Sequence, residues 1–171
     1  SLSTLDGVDL LHHNGREWEF QDQRMRLAGR YGSMVETEVG ELWLQDLLNP
    51  LVLHRHQLST DSIGIVESQI LRLPDTFPMP QGMYRWQGEV ALATEKGIWV
   101  LNRQSGSFVP ENSIGISGMD RETGVLRLSE DSEGRLWIER YLDNKRWLEL
   151  AIPNGEGTFL RDSVALRELS D

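Results

Sequence analysis

The sequence predicts an all-β fold made of β-propeller blades, each a four-stranded antiparallel sheet, with about four blade equivalents forming part of a larger propeller. Three observations carry this. Asp131-Ser132-Glu133-Gly134-Arg135-Leu136-Trp137-Ile138 is an acidic turn closed by a glycine and running into an apolar strand centred on tryptophan. It has two upstream copies, Gly40-Glu41-Leu42-Trp43-Leu44 and Gly88-Glu89-Val90-Ala91-Leu92, whose glycines lie 48 and 46 residues apart in sequence. A second landmark keeps the same period: Gly97-Ile98-Trp99-Val100-Leu101 matches Gly7-Val8-Asp9-Leu10-Leu11, ninety residues or two periods earlier.

The elements follow in order. Gly7–His13 and Glu17–Phe20 form a hairpin about Asn14-Gly15, residues that tolerate positive φ. Strands are expected at 31–36, 42–44 and 51–56, with an outer strand or hairpin within the β-branched run 63–73. Residues 74–82 hold three of the six prolines and read as a connecting loop. The next unit supplies strands at 83–86, 90–93, 97–102 and 105–109, and the one after it 124–128, 136–138 and 146–150, with Asp143-Asn144 as a turn. Phe159-Leu160 and Val164–Asp171 resemble the approach to a further acidic turn. The units are therefore 1–24 (late strands of a blade), 25–73, 83–111, 116–152 and 158–171 (early strands of a further blade). Such cut edges favour self-association through blade edges or a homodimer.

Composition bounds function by exclusion. A chain of 171 residues is long enough for one respectable core, since a chain near 150 residues buries roughly 70% of its unfolded surface. Its net charge of −10 repels nucleic acid, and no basic patch offsets it. There is no cysteine, hence neither a disulfide framework nor a thiolate site. No run reaches the roughly 20 apolar residues of a membrane span, and the start lacks the pattern of a signal peptide, so no membrane contact is expected within this segment. Motifs for nucleophilic, phosphate-loop or zinc-protease chemistry are missing, and no cofactor and no metal is expected.

The repeat motif is read as structural. Gly40, Gly88, Gly97 and Gly134 close turns, while Trp43, Trp99 and Trp137, together with Trp18 and Trp147, pack between blades. His12 and His13 point to opposite strand faces; His54 and His56 share one face, without a third ligand at a telling distance. Tyr84, Arg85 and Trp86 are the ligand-binding candidates, because an innermost strand lines the channel of a propeller and this trio can stack on a sugar or anchor a carboxylate. Tyr31 and Arg121 occupy corresponding places in their own units and share that assignment. An acid–base pair in a polysaccharide hydrolase or lyase would fall on Asp131 and Glu133, but these sit in the recurring turn.

Glu130–Ile138 and Leu92–Asn102 together resemble the two halves of the two-component regulator propeller repeat, over most of residues 25–150. The sequence departs from that pattern at Ala91, where an aromatic is expected, and at Gln45-Asp46 and Glu139-Arg140, where Gly-Thr is common. The resemblance implies the extracytoplasmic, periplasmic sensor region of a bacterial hybrid histidine kinase or diguanylate cyclase. In that setting the segment is not an enzyme: it binds an unknown small molecule or oligosaccharide, or mediates dimerisation. The alternatives are the polysaccharide-acting propeller enzyme and a protein-binding scaffold.

Overall fold

The computed structural model describes residues 8–13, 18–25, 29–59, 65–114, 125–142, 145–156 and 158–169, with 8–25, 141–142 and 161–169 described for the backbone alone. All the elements among these residues are strands. Strands β1 (Val8–His13) and β2 (Trp18–Met25) pair as a two-stranded sheet, the expected hairpin. Three four-stranded antiparallel sheets follow. The first holds β3 (Tyr31–Glu36), β4 (Glu41–Asp46), β5 (Val52–Leu58) and β6 (Ile65–Arg72). The second holds β7 (Pro80–Trp86), β8 (Glu89–Thr94), β9 (Gly97–Asn102) and β10 (Ser107–Pro110). The third holds β11 (Val125–Glu130), β12 (Leu136–Leu142), β13 (Lys145–Pro153) and β14 (Phe159–Leu169). Each is a simple meander, and the set is propeller-like.

Two boundaries differ from the sequence expectation. Residues 159–169 are not the opening of a further unit: β14 pairs along β13 as the outer strand of the third sheet, with Ala151 opposite Arg161 and Trp147 opposite Glu168. An outer strand and an inner one share the same alternating pattern, so only the pairing partner distinguishes them. The proline-rich connection is also shorter than expected, because β7 starts at Pro80. A proline is tolerated there as the first residue of a strand.

The turns obey the repeat. In the first sheet Thr37 N–H donates to Glu41 O (2.9 Å) and Gly40 N–H to Thr37 O (3.1 Å); in the third, Asp131 N–H donates to Arg135 O (3.0 Å) and Gly134 N–H to Asp131 O (3.0 Å). Gly40 and Gly134 both stand at φ 72°, a left-handed conformation in which a Cβ is strained. The second sheet uses a tighter two-residue turn, Gln87 (φ 50°) and Gly88 (φ 77°), with both central residues at positive φ as a primed hairpin requires.

Aligning the sheets by their strand register places Met34–Leu44, Met83–Leu92 and Leu128–Ile138 in equivalent cross-strand pairs. In the same frame each inner strand carries an irregularity at the same point, between Tyr31 and Ser33, Pro80 and Gly82, and Val125 and Arg127. One extra residue there, a β-bulge, increases the local twist and re-aims the residues on either side.

Side-chain alternation then assigns two faces to each sheet. Trp43, Val35 and Leu53 of the first sheet share a core cluster with Met83, Val90 and Leu92 of the second. Trp86, Ala91 and Ala93 of the second share one with Leu128, Leu136 and Ile138 of the third. Strand β4 is buried on both faces, with Trp43 on one side and Leu42 and Leu44 on the other, as its all-apolar centre predicts.

A Cβ at Gly134 would meet no heavy atom within 4 Å, so only its backbone conformation is at stake. Gly134→Ala should therefore lower unfolding stability by about 1–2 kcal/mol in urea titration, and Gly134→Asn by clearly less. At Gly88 an added Cβ would also come within 2.9 Å of the Glu38 side chain.

Candidate functional site

The three turns joining first and second strands lie at one end of the array, and a cleft of about 580 Å³ opens among them. Its walls come from all three sheets: Glu38 from the first, Tyr84, Arg85, Gln87 and Gly88 from the second, and Leu128 to Ser132 from the third. The turns are linked to one another. Gln87 N–H donates to Glu130 Oε2 (3.0 Å), and Glu38 N–H reaches Gly88 O at 3.5 Å.

Two of the five candidate residues meet here. Tyr84 stands half-buried, its hydroxyl donating to Leu126 O of the next sheet at 2.7 Å, the carbonyl of the bulge residue. Its ring lies over Gly82, where a Cβ would come within 2.6 Å of the phenol oxygen. Burial raises the phenol pKa, Arg127 opposes this and Glu139 adds to it, so Tyr84 is a neutral donor. Arg85 is exposed and bonds Glu38 Oε1 at 3.1 Å, a surface pair that water and salt screen.

The other three candidates are placed elsewhere. Trp86 does not line a channel: it is 2% exposed, packed against Phe159 at 5.6 Å between ring centroids, inside the core shared by the second and third sheets. Its indole N–H has no hydrogen-bond partner among the described residues. The cause is Ala91, which stands where Trp43 and Trp137 stand in their sheets; Tyr84 pairs across from Ala91, so the neighbouring strand supplies the aromatic volume that β8 lacks. Tyr31 is not the counterpart of Tyr84 either, because the register gives that place to Val35. It packs edge-on against His54 (5.3 Å, 81°) on the first sheet, away from the cleft. Arg121 lies outside the described residues, as do the side chains of His12, His13 and Trp18.

The sequence reading placed Asp131 in the repeated turn, and the structure shows that it also lines the cleft. Its carboxylate accepts from Glu133 N (3.0 Å), Arg135 N (3.1 Å), Arg135 Nε (2.7 Å) and Trp137 Nε1 (3.2 Å). Partial desolvation works against ionisation, but these four donors outweigh it and hold the pKa at about 2. A carboxyl so acidic carries no proton to donate near neutral pH. Glu133 is exposed and pairs with Arg135 at 2.9 Å.

A second polar cluster, unmarked in the sequence, bridges the first two sheets. The buried Glu41 carboxylate accepts from Trp43 Nε1 (3.1 Å), Arg55 Nε (2.9 Å), and Arg103 Nη1 and Nη2 (3.2 and 3.1 Å), and Arg55 Nη2 also contacts it. Arg103 continues to Glu89 Oε1 at 2.5 Å. Burial pushes the Glu41 pKa up, yet the donors from Arg103, Trp43 and Arg55 win and lower it. Sequence signals for this cluster exist only in hindsight: Glu41 and Glu89 follow the repeat glycines at the same offset. The His54 and His56 rings stack at 6.4 Å, with His56 Nδ1 2.9 Å from Ser68 Oγ; burial and then His54 lower the His56 pKa. No set of three metal-ligating side chains occurs among the described residues.

No protein-family model matches the chain, and comparison with curated proteins finds no match either.

Asp131 supplies a pH test with a definite sign. Because its folded pKa lies below the ordinary 3.8, its stabilisation is present above that value and disappears as pH falls through about 2. Asp131→Asn should be less stable than the parent at neutral pH. In urea titrations at successive pH values, that difference should close across the window between the two pKa values. A difference independent of pH would show that the ionised carboxylate is not the stabilising group.

Proposed function

We propose that this chain is a non-catalytic, ligand-binding segment of a larger β-propeller, an extracytoplasmic input module of a bacterial signal-transduction protein whose output chemistry resides in other domains. The observation that carries the reading is the cleft in which turns from three successive sheets converge around Tyr84 and Arg85. Clefts on turns held by a rigid sheet scaffold are where propeller-like folds place recognition, since turn residues can vary without disturbing the packed faces. The resemblance of Glu130–Ile138 and Leu92–Asn102 to the two-component regulator repeat supplies the biological setting, a periplasmic sensor.

The chemistry of the lining favours a small polar ligand. Arg85 can exchange its exposed partner Glu38 for a ligand carboxylate with two parallel hydrogen bonds. Ser129, Ser132 and the Glu130 carboxylate offer acceptors and donors to hydroxyl groups, and the Tyr84 ring supplies an apolar edge. A single sugar-sized molecule with hydroxyl groups and one carboxylate uses all of these at once.

Thermal-shift screening with uronic acids, neutral oligosaccharides and amino acids, followed by calorimetry, tests the assignment. A ligand at a hundredfold its Kd should raise stability by about 2.7 kcal/mol. Arg85→Ala should abolish the shift while Lys96→Ala, on the exposed β8–β9 turn, preserves it. A shift that survives Arg85→Ala would remove the cleft as the binding site.

A further inference from the structure

The charges that line the cleft do not balance. Glu38, Glu130 and Asp131 bring three carboxylates to it and Arg85 brings one guanidinium. Asp131 is neutralised within its own turn by Arg135, and Glu38 is held by Arg85 at 3.1 Å. Glu130 remains. Its Oε2 accepts from Gln87 N at 3.0 Å, an uncharged donor, and no cation pairs with it among the described residues.

Filling the cleft with a simple acid makes the imbalance worse. A ligand carboxylate that takes Arg85 displaces Glu38, so Glu38 and Glu130 both then lack a cation, on a chain whose net charge is already −10. An acid that also carries an ammonium group offsets that repulsion, because its positive charge goes where the carboxylates are. The backbone fixes how far apart the two ligand charges must be. Strand alternation sends Tyr84 towards the third sheet, where its hydroxyl meets Leu126 O, and Arg85 towards the first, where it meets Glu38. Glu130 reaches the Gln87-Gly88 turn from the third sheet, whereas Glu38 reaches it from the first, through its N–H to Gly88 O. Arg85 and Glu130 therefore flank the turn on opposite sides. Stacked sheets lie about 10 Å apart, so the ligand charges have to be separated by a ring rather than carried on one carbon.

We propose that the cleft takes a zwitterionic sugar acid, with its carboxylate on Arg85 and its ammonium group on Glu130, and that Glu130 determines this specificity. The inference rests on the cleft as the binding site and deepens that reading, which by itself requires only the carboxylate.

Three sugars of one ring shape separate the two claims: glucuronic acid carries the carboxylate alone, glucosamine the ammonium alone, and 2-amino-2-deoxyglucuronic acid both. In calorimetry at low ionic strength the third should bind the parent chain roughly fivefold or more tightly than either of the others. Glu130→Gln keeps an oxygen to accept from Gln87 N and stands on the surface, so its circular-dichroism melt should match the parent. In this variant the advantage over glucuronic acid should vanish, with glucuronic acid bound as well as before or better. Arg85→Ala should weaken both acids. Equal affinity of the parent for the two acids, an advantage that survives Glu130→Gln, or a parent chain that binds none of the three sugars overturns the inference. Equal affinity that Arg85→Ala abolishes leaves the cleft standing as a carboxylate site, whereas binding that Arg85→Ala does not weaken removes the cleft itself.

Discussion

The fold depends on burying both faces of its sheets. A strand such as Glu41–Asp46, with tryptophan on one side and leucines on the other, has no solvated face to offer, so the first sheet requires a neighbour. Fully burying one large apolar side chain stabilises by about 1.5–3 kcal/mol, and Trp43, Met83, Val90, Leu92 and Phe108 all contribute at the first junction. The Glu41 cluster sits at that same junction, and the aromatic face sets its geometry. Glu41 is buried because it follows the turn onto the Trp43 face, and Arg55 and Arg103 then neutralise it. Breaking such a pair is far more costly than its net worth when intact, so the cluster fixes how the sheets align more than it adds to their adhesion.

The same constraint explains the strongest departure from the repeat. Ala91 removes an indole from the second strand, which alone would leave a void at the second junction, where truncating a buried tryptophan costs about 3–5 kcal/mol. Trp86 fills that volume from the inner strand, at the cost of an indole N–H without a partner among the described residues. An aromatic in an inner strand looked like a ligand platform in sequence, yet its burial follows from the missing partner two turn residues and two strand residues further on. The aromatic was relocated within the core.

Strand existence, turn glycines and the three-sheet organisation were legible because they follow from period and alternation, which need no knowledge of partners. What was not legible required pairing. Placing the strand starts needs the partner strands: the register sets Tyr31 level with Pro80 and Val125, and Tyr84 level with Val35 and Ser129, so the two tyrosines look matched only while β7 is taken to begin after the prolines. The outer strand β14 shows the same limit, since its sequence specifies alternation but not whether β13 or a further sheet receives it. Of the cleft, Tyr84 and Arg85 were visible as an unusual inner-strand pair, whereas Glu38, Gln87 and Glu130 drew no notice because polar turn residues are expected everywhere.

The register resolves how a repeated structural turn can also help to build a cleft that draws on all three four-stranded sheets. Thr37, Trp86 and Asp131 occupy the same opening position in their sheets, each paired across the turn with Glu41, Glu89 or Arg135. Thr37 uses its hydroxyl to accept from Glu41 N, Trp86 turns into the core, and Asp131 gathers Arg135 and Trp137. The carboxylate that receives the strand-two indole therefore comes from Glu41 in the first sheet and from Asp131 in the third. Thr37 and Trp86 are buried and, of the three, Asp131 alone lines the cleft, so this position serves stability in every sheet and reaches the rim only in the third. The cleft itself is built by the neighbouring turn residues Glu38, Gln87, Gly88 and Ser132 and by the inner-strand residues beside them.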